Sequence, residues 1–124
     1  MNIPSTHQSV MPYLMVAGAA GFSVFAAQVF GATVTMSRLR EGSNVVMHSE
    51  LQIGGSTIMY CDATEQWAPQ TANLFVYVPN ADDTYAAALA AGATVVMEPN
   101  TQDYGRTCGV TDPYGNTWWI TSVL

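Results

Sequence analysis

His48 and Glu50 are the two side chains whose types and spacing could do chemistry together. They stand two apart in Val45–Ile53, where apolar and polar residues alternate. Such alternation marks a strand, and residues two apart on a strand point to one side. An imidazole beside a carboxylate could serve as general base with an orienting acid, as two metal ligands, or as a polar recognition pair. It could equally be an ordinary structural hydrogen bond, joined across the sheet by Arg106. Cys108 would be a nucleophile only if Arg106 or His48 lowered its pKa; a plain buried thiol is the simpler reading. His7 falls in residues 1–9, read as a flexible tail, and is given no role.

The elements that would hold these residues come from an internal repeat. Gly31-Ala32-Thr33-Val34-Thr35-Met36 recurs as Gly92-Ala93-Thr94-Val95-Val96-Met97, and Gly55-Ser56-Thr57-Ile58 matches Gly115-Asn116-Thr117-Trp118. Repeats of this kind organise a fold. The halves, 10–61 and 72–123, are joined by the polar loop Asp62–Thr71, and residues 10–124 are expected to form one domain. In the first half, strands are expected at Val10–Val16, Thr33–Leu39, Val45–Ile53 and Ser56–Cys61, with a helix at Ala19–Phe30 stopped by Gly31. In the second, Asn73–Val78, Thr94–Met97, Thr107–Thr111 and Thr117–Ser122 read as strands. A helix capped by Asn80 runs to about Ala91.

Composition narrows the function classes. Nine carboxylates face three arginines and no lysine, for a net charge of −6. No basic patch can form, so neither nucleic acid nor an anionic membrane surface is an expected partner. Such a charge attracts cationic small molecules. Only 10% of residues are charged, against about 25% in a typical domain, so the surface is sparsely charged or partly covered by a partner. Cys61 and Cys108 are too few for a disulfide scaffold and read as thiols in a reducing compartment, hence a cytoplasmic location. Residues 1–9 lack the pattern of a signal peptide. The apolar run Ala17–Met36 is broken by Gly18, Gly21 and Gly31, and reads as a core helix and strand rather than a membrane span.

The order strand, helix, three strands, repeated once, resembles the vicinal oxygen chelate superfamily of glyoxalase I, extradiol dioxygenases, fosfomycin-resistance and bleomycin-binding proteins. Val46-Met47-His48-Ser49-Glu50-Leu51-Gln52-Ile53-Gly54 resembles the third strand of its PhnB-like branch. Tyr104-Gly105-Arg106, with Asp112-Pro113-Tyr114-Gly115-Asn116-Thr117-Trp118, resembles that branch's C-terminal signature. The resemblance implies an α+β fold: two βαβββ repeats forming curved mixed sheets around a cavity, helices on the outer face, with frequent dimerisation. It also implies a metal site on the first and last strands of each half. Those positions fall at Met11, Met59, Asn73 and Trp119, none of them a His, Asp, Glu or Cys. No cofactor is therefore expected, and a divalent metal only through His48 or Glu50.

If the ligand-equivalent positions face the cavity, their alternates do too. Tyr13, Phe75, Tyr77 and Trp119 then form an aromatic lining, with Met11, Met15 and Met59 beside them. His48, Glu50 and Gln52 face it from the third strand, and Arg106, Cys108 and Val110 from its repeat partner. The expected ligand-binding set is Tyr13, His48, Glu50, Phe75, Tyr77, Arg106 and Trp119. The same residues could instead fill the sheet interior or a subunit contact. Trp67 and Pro69 could cover the cavity mouth or anchor their loop. Three functions fit: a metal-free binder of an aromatic or cationic compound; a lyase, isomerase or dioxygenase with relocated ligands; or a domain kept for partner contacts. The first helix is apolar on nearly every side, and a homodimer covering it, or the sheet edge beside it, is expected.

Overall fold

In the computed structural model, which describes residues 1–124, each half of the chain builds the repeated unit. The first half runs β1 (Tyr13–Val16), α1 (Ala19–Phe30), β2 (Thr33–Leu39), β3 (Val46–Ile53) and β4 (Ser56–Asp62). The second runs β5 (Asn73–Tyr77), α2 (Ala81–Ala90), β6 (Thr94–Gln102), β7 (Gly105–Thr111) and β8 (Thr117–Ser122). The sheets are ordered β1-β4-β3-β2 and β5-β8-β7-β6. In each, the first strand lies parallel to the last and the other pairs are antiparallel. The chain divides into two compact units, Met1–Ala27 with Gly31–Gln70, and Gln28–Phe30 with Thr71–Leu124.

Two strand boundaries differ from the sequence reading by three residues or more, and both lie beside a proline. β1 begins at Tyr13 rather than Val10, since Pro12 has no N–H to give a ladder; its carbonyl still accepts from the Met59 N–H at 2.9 Å. β6 continues past Met97 to Gln102. It tolerates Pro99 because it is an edge strand whose register shifts between Met97 and Asn100.

The helix ends follow local rules. Gly31 adopts a left-handed conformation at φ 67°, and its N–H donates to Ala27 O while the Ala32 N–H donates to Ala26 O. Asn80 caps α2, its Oδ1 accepting from the Asp83 N–H at 3.0 Å. Each helix is also tied at its start to the end of its unit's last strand. Asp62 Oδ1 accepts from the Ala19 N–H at 2.7 Å, and Ser122 Oγ accepts from the Ala81 N–H at 3.1 Å.

The core lies between helix and sheet in each unit. In the first, Leu14, Val16, Phe22, Phe25, Leu51 and Tyr60 are buried, with the Phe22 and Tyr60 rings 5.0 Å apart, edge to face. In the second, Val76, Ala88, Cys108, Val110, Trp118 and Ile120 are buried. Helix α1 turns Phe22 and Phe25 inward and leaves Ala20, Val24, Ala27 and Gln28 exposed. Phe30 is half-buried, its ring 4.5 Å from that of Trp118. The helix is thus less starved of a solvent face than its composition implies, because two small alanines and Gln28 share that face with Val24.

Candidate functional site

Cross-strand register decides which side chains share a face. In the first unit, Tyr13 lies opposite Met59, Met59 opposite Glu50, and Glu50 opposite Met36. This row occupies the sheet face away from α1, because the alternating Leu14, Val16, Tyr60 and Leu51 are the ones buried in the core. In the second unit the matching row is Phe75, Trp119, Gly109 and Met97. Tyr13, Phe75, Tyr77 and Trp119 therefore all lie on the helix-free face of their own sheets, as alternation requires.

The first unit's row carries a chain of hydrogen bonds. With its proton on Nε2, His48 donates to Glu50 Oε2 at 2.8 Å and accepts at Nδ1 from the Tyr13 hydroxyl at 3.0 Å. The second carboxylate oxygen, Glu50 Oε1, accepts from His7 Nε2 at 2.7 Å. Glu50 is buried, and the hydrogen bonds from His7 and His48 hold its pKa below the usual carboxylate value. Burial raises the Tyr13 phenol, with Cys61 adding to the shift, so this hydroxyl stays protonated. His7, given no role by the sequence, is thus part of the constellation. Its segment is seated by Gln8, which donates to Thr57 O at 2.9 Å and accepts from the Thr57 N–H at 3.2 Å. Thr6 O accepts from the Thr57 hydroxyl and from Gln52. No periodicity announces such docking; a polar nine-residue segment reads as tail whether or not it is pinned.

The second unit's row is apolar. The Phe75 and Tyr77 rings meet edge to face at 5.1 Å and are 54% and 64% exposed. Trp119 Nε1 donates to Asn73 Oδ1 at 3.2 Å. Trp119 also lies over Gly109, where a Cβ would come within 2.6 Å of the indole ring.

Arg106, expected among the ligand-binding residues, lies elsewhere. It is on the helix side of its sheet, where Nε and Nη2 donate to the Asp82 carboxylate at 2.8 and 3.0 Å and Nη1 donates to Thr101 Oγ1 at 3.2 Å. Cys108 and Val110 are buried on that same side. Burial pushes the Cys108 thiol up to about 11, which leaves no nucleophilic thiolate at neutral pH. The cause is a one-residue register error. The sequence match equated His48 with Cys108, but Glu50 faces Met59 as Gly109 faces Trp119, so His48 corresponds to Thr107. One position of slip moves every side chain of a strand to the other face.

The family metal positions do not suit a divalent cation. Met11 and Met59 offer soft thioethers, and the Asn73 amide oxygen already accepts from Trp119, whose indole is a donor only. No group of three His, Cys, Asp or Glu side chains is arranged to hold a metal ion. Neither helix is long and apolar enough to cross a membrane. A cleft of about 260 Å³ opens in the first unit, with Tyr13, Met15, Arg40, Met47 and Trp67 among its walls.

Comparison with known proteins agrees with the architecture. The sequence model of the Glyoxalase/Bleomycin resistance protein/Dioxygenase superfamily matches residues 20–120, and the chain belongs to this superfamily. An uncharacterized protein of Mycobacterium bovis is 32% identical over 89% of this chain and 80% of its own length. Among solved structures, the fosfomycin resistance protein FosX of Listeria monocytogenes superposes with a TM-score of 0.75 at 15% identity, over 94% of each chain. A PhnB protein from Bacillus cereus gives 0.72 at 15% identity, over 94% of this chain and 100% of that one. TnmS3, an antibiotic binding protein from Streptomyces sp. CB03234, gives 0.67 at 14%, over 95% and 100%. Identities this low speak for the fold alone.

Proposed function

We propose that this chain is a small-molecule-binding protein of the glyoxalase/bleomycin-resistance type that works without the usual metal and takes up an aromatic or cationic compound. The observation that carries this reading is the row of Phe75 and Trp119 with Tyr77 beside it. Phe75 and Tyr77 stand exposed and Trp119 partly so on a sheet face whose alternates Val76, Trp118 and Ile120 are buried, and such rings stack on planar ligands. The unsuitable donors at Met11, Met59, Asn73 and Trp119 support a metal-free site. The net charge of −6 supports affinity for cations. TnmS3, an antibiotic binding protein of the same fold, is a precedent. Mass spectrometry of the purified protein under native conditions, alongside elemental analysis, tests the reading. A co-purifying aromatic compound with no stoichiometric metal is expected; stoichiometric zinc, nickel, manganese or iron would overturn it.

A second reading, a metal-free isomerase or lyase, is favoured by one observation: the Tyr13–His48–Glu50–His7 chain has the form of an oriented acid–base pair. If a metal does bind, His48 or Glu50 is its expected ligand. We further propose a cytoplasmic homodimer without nucleic-acid or membrane partners. The exposed edge of β2 replaces α1 as its favoured contact, since only Met36 of that strand is partly covered.

A further inference from the structure

The wall of the first unit's cleft holds one guanidinium, Arg40, and one carboxylate, Asp62, and what Arg40 is free to hold goes beyond the proposed binding role. Of the three arginines, only Arg106 is in an ion pair. Arg40 lines the cleft with no carboxylate partner, although Glu41 is its chain neighbour and nine acids are available. Its backbone is fixed by a turn. The Arg40 N–H donates to Val45 O at 2.8 Å, and Arg40 O accepts from the Ser43 N–H at 3.0 Å and from the Ser43 hydroxyl at 2.9 Å. The other ionisable wall groups are engaged or neutral. Asp62 uses both carboxylate oxygens locally, accepting from the N–H groups of Ala19 and Val46 at 2.7 Å each. Burial, with the Asp62 charge adding to it, keeps the Cys61 thiol protonated.

The rest of the wall suits a ring. Trp67 is held by a tight turn in which its N–H donates to Thr64 Oγ1 at 3.0 Å and the Thr64 N–H donates to Trp67 O at 2.8 Å. Tyr13 supplies a second aromatic surface, and Met15 and Met47 supply adaptable thioethers. At about 260 Å³ the cleft is below the range of roughly 300–1,000 Å³ usual for drug-sized ligands, so its occupant is a single small ring. We infer that this cleft binds a small aromatic carboxylate, with the carboxylate on the Arg40 guanidinium and the ring against Trp67 and Tyr13. A guanidinium fork matches a carboxylate in two parallel hydrogen bonds, and close charge outweighs the screened net charge of the chain.

Amide and indole chemical shifts of the full chain, titrated separately with benzoate, benzyl alcohol and benzylammonium, test this. Benzoate is expected to move the Met47 amide and the Trp67 indole N–H, and to bind at least tenfold tighter than either other probe. Arg40→Gln, at an exposed position, should reduce benzoate to the affinity of benzyl alcohol; Trp67→Ala should weaken both. Trp119→Ala should leave benzoate at the cleft unaffected. Equal affinity for all three probes, no response to Arg40→Gln, or no binding at the cleft would overturn the inference. Larger aromatic compounds lost on Trp119→Ala would leave the proposed function standing in that event. Benzoate held at Arg40 with no ligand on the Trp119 face would sink the aromatic-face reading instead.

Discussion

The two units build the same row of the same sheet from opposite chemistries. Tyr13, Met59, Glu50 and Met36 cross the first, and Phe75, Trp119, Gly109 and Met97 cross the second. Where the first unit buries a carboxylate between two imidazoles, the second has no side chain at all and lays an indole over the gap. The backbone is indifferent to this exchange because both rows face away from the helix, so the packed core is untouched. What the repeat conserves is the helix side and its tie to the last strand; what it frees is the other face. A site there can diverge without disturbing the packed core, which is why superfamily membership leaves its chemistry open.

The hairpins give the largest expected contrast. β3 turns into β4 through Gly54-Gly55 alone, whereas β7 turns into β8 around buried Asp112. Its carboxylate accepts from the N–H groups of Tyr114 at 2.8 Å and Asn116 at 2.9 Å, from Asn116 Nδ2 at 3.1 Å, and from Trp118 Nε1 at 2.8 Å. Asp112→Ala leaves several donors without partners, at a cost of about 3–5 kcal/mol. Urea denaturation measures it, and a loss under about 1 kcal/mol would deny the motif its structural role. Gly109→Ala comes next. Its methyl would meet the Trp119 ring at 2.6 Å, so the indole must move, with an expected loss of about 1–3 kcal/mol and a changed Trp emission. An unchanged spectrum would mean that the ring does not lie over Gly109 in solution.

Much of this comparison was legible in the sequence, and the gaps have physical causes. Both helices and most strands follow from periodicity, glycine stops and the Asn80 cap, all of them local. The faces of β1, β5 and β8 follow from alternation once one residue is placed. Arg106 was misplaced because its strand's register depends on hairpin length, and the Asp112–Asn116 loop is longer than Gly54-Gly55. The His7–Glu50 contact and the Arg40 cleft depend on residues far apart in sequence, and neither leaves a local pattern.

The carboxylate that only the first unit possesses gives a smaller effect with a definite sign. Glu50 has a folded pKa below its unfolded one, so its contribution to stability is full above the ordinary carboxylate range and is lost as pH falls through the folded value. The stability gap between the native chain and Glu50→Gln should hold from neutral pH down to about 4.3 and shrink below it. A gap that stays constant well below about pH 4 would deny the Glu50 charge this role.

The smallest expected effect separates the two helices from the sheet edges as the surface of assembly. Helix α1 exposes Ala20, Val24, Ala27 and Gln28, so Val24, 54% exposed, is its one large apolar contact to offer. Exposed alanine costs little, and one valine does not make an interface. The edge strands differ: Val34 and Leu39 on β2, and Val95 and Val96 on β6, are 44–50% exposed beside the unpaired outer N–H and C=O groups that an edge presents. Edges of this kind invite pairing unless a charge or bulge blocks it. Val24→Gln should therefore change stability by no more than about 0.5 kcal/mol and leave the sedimentation profile as it was. Val34→Lys places a charge on the β2 edge and should shift the same profile toward monomer. Monomer produced by Val24→Gln, with Val34→Lys still dimeric, would return the contact to α1.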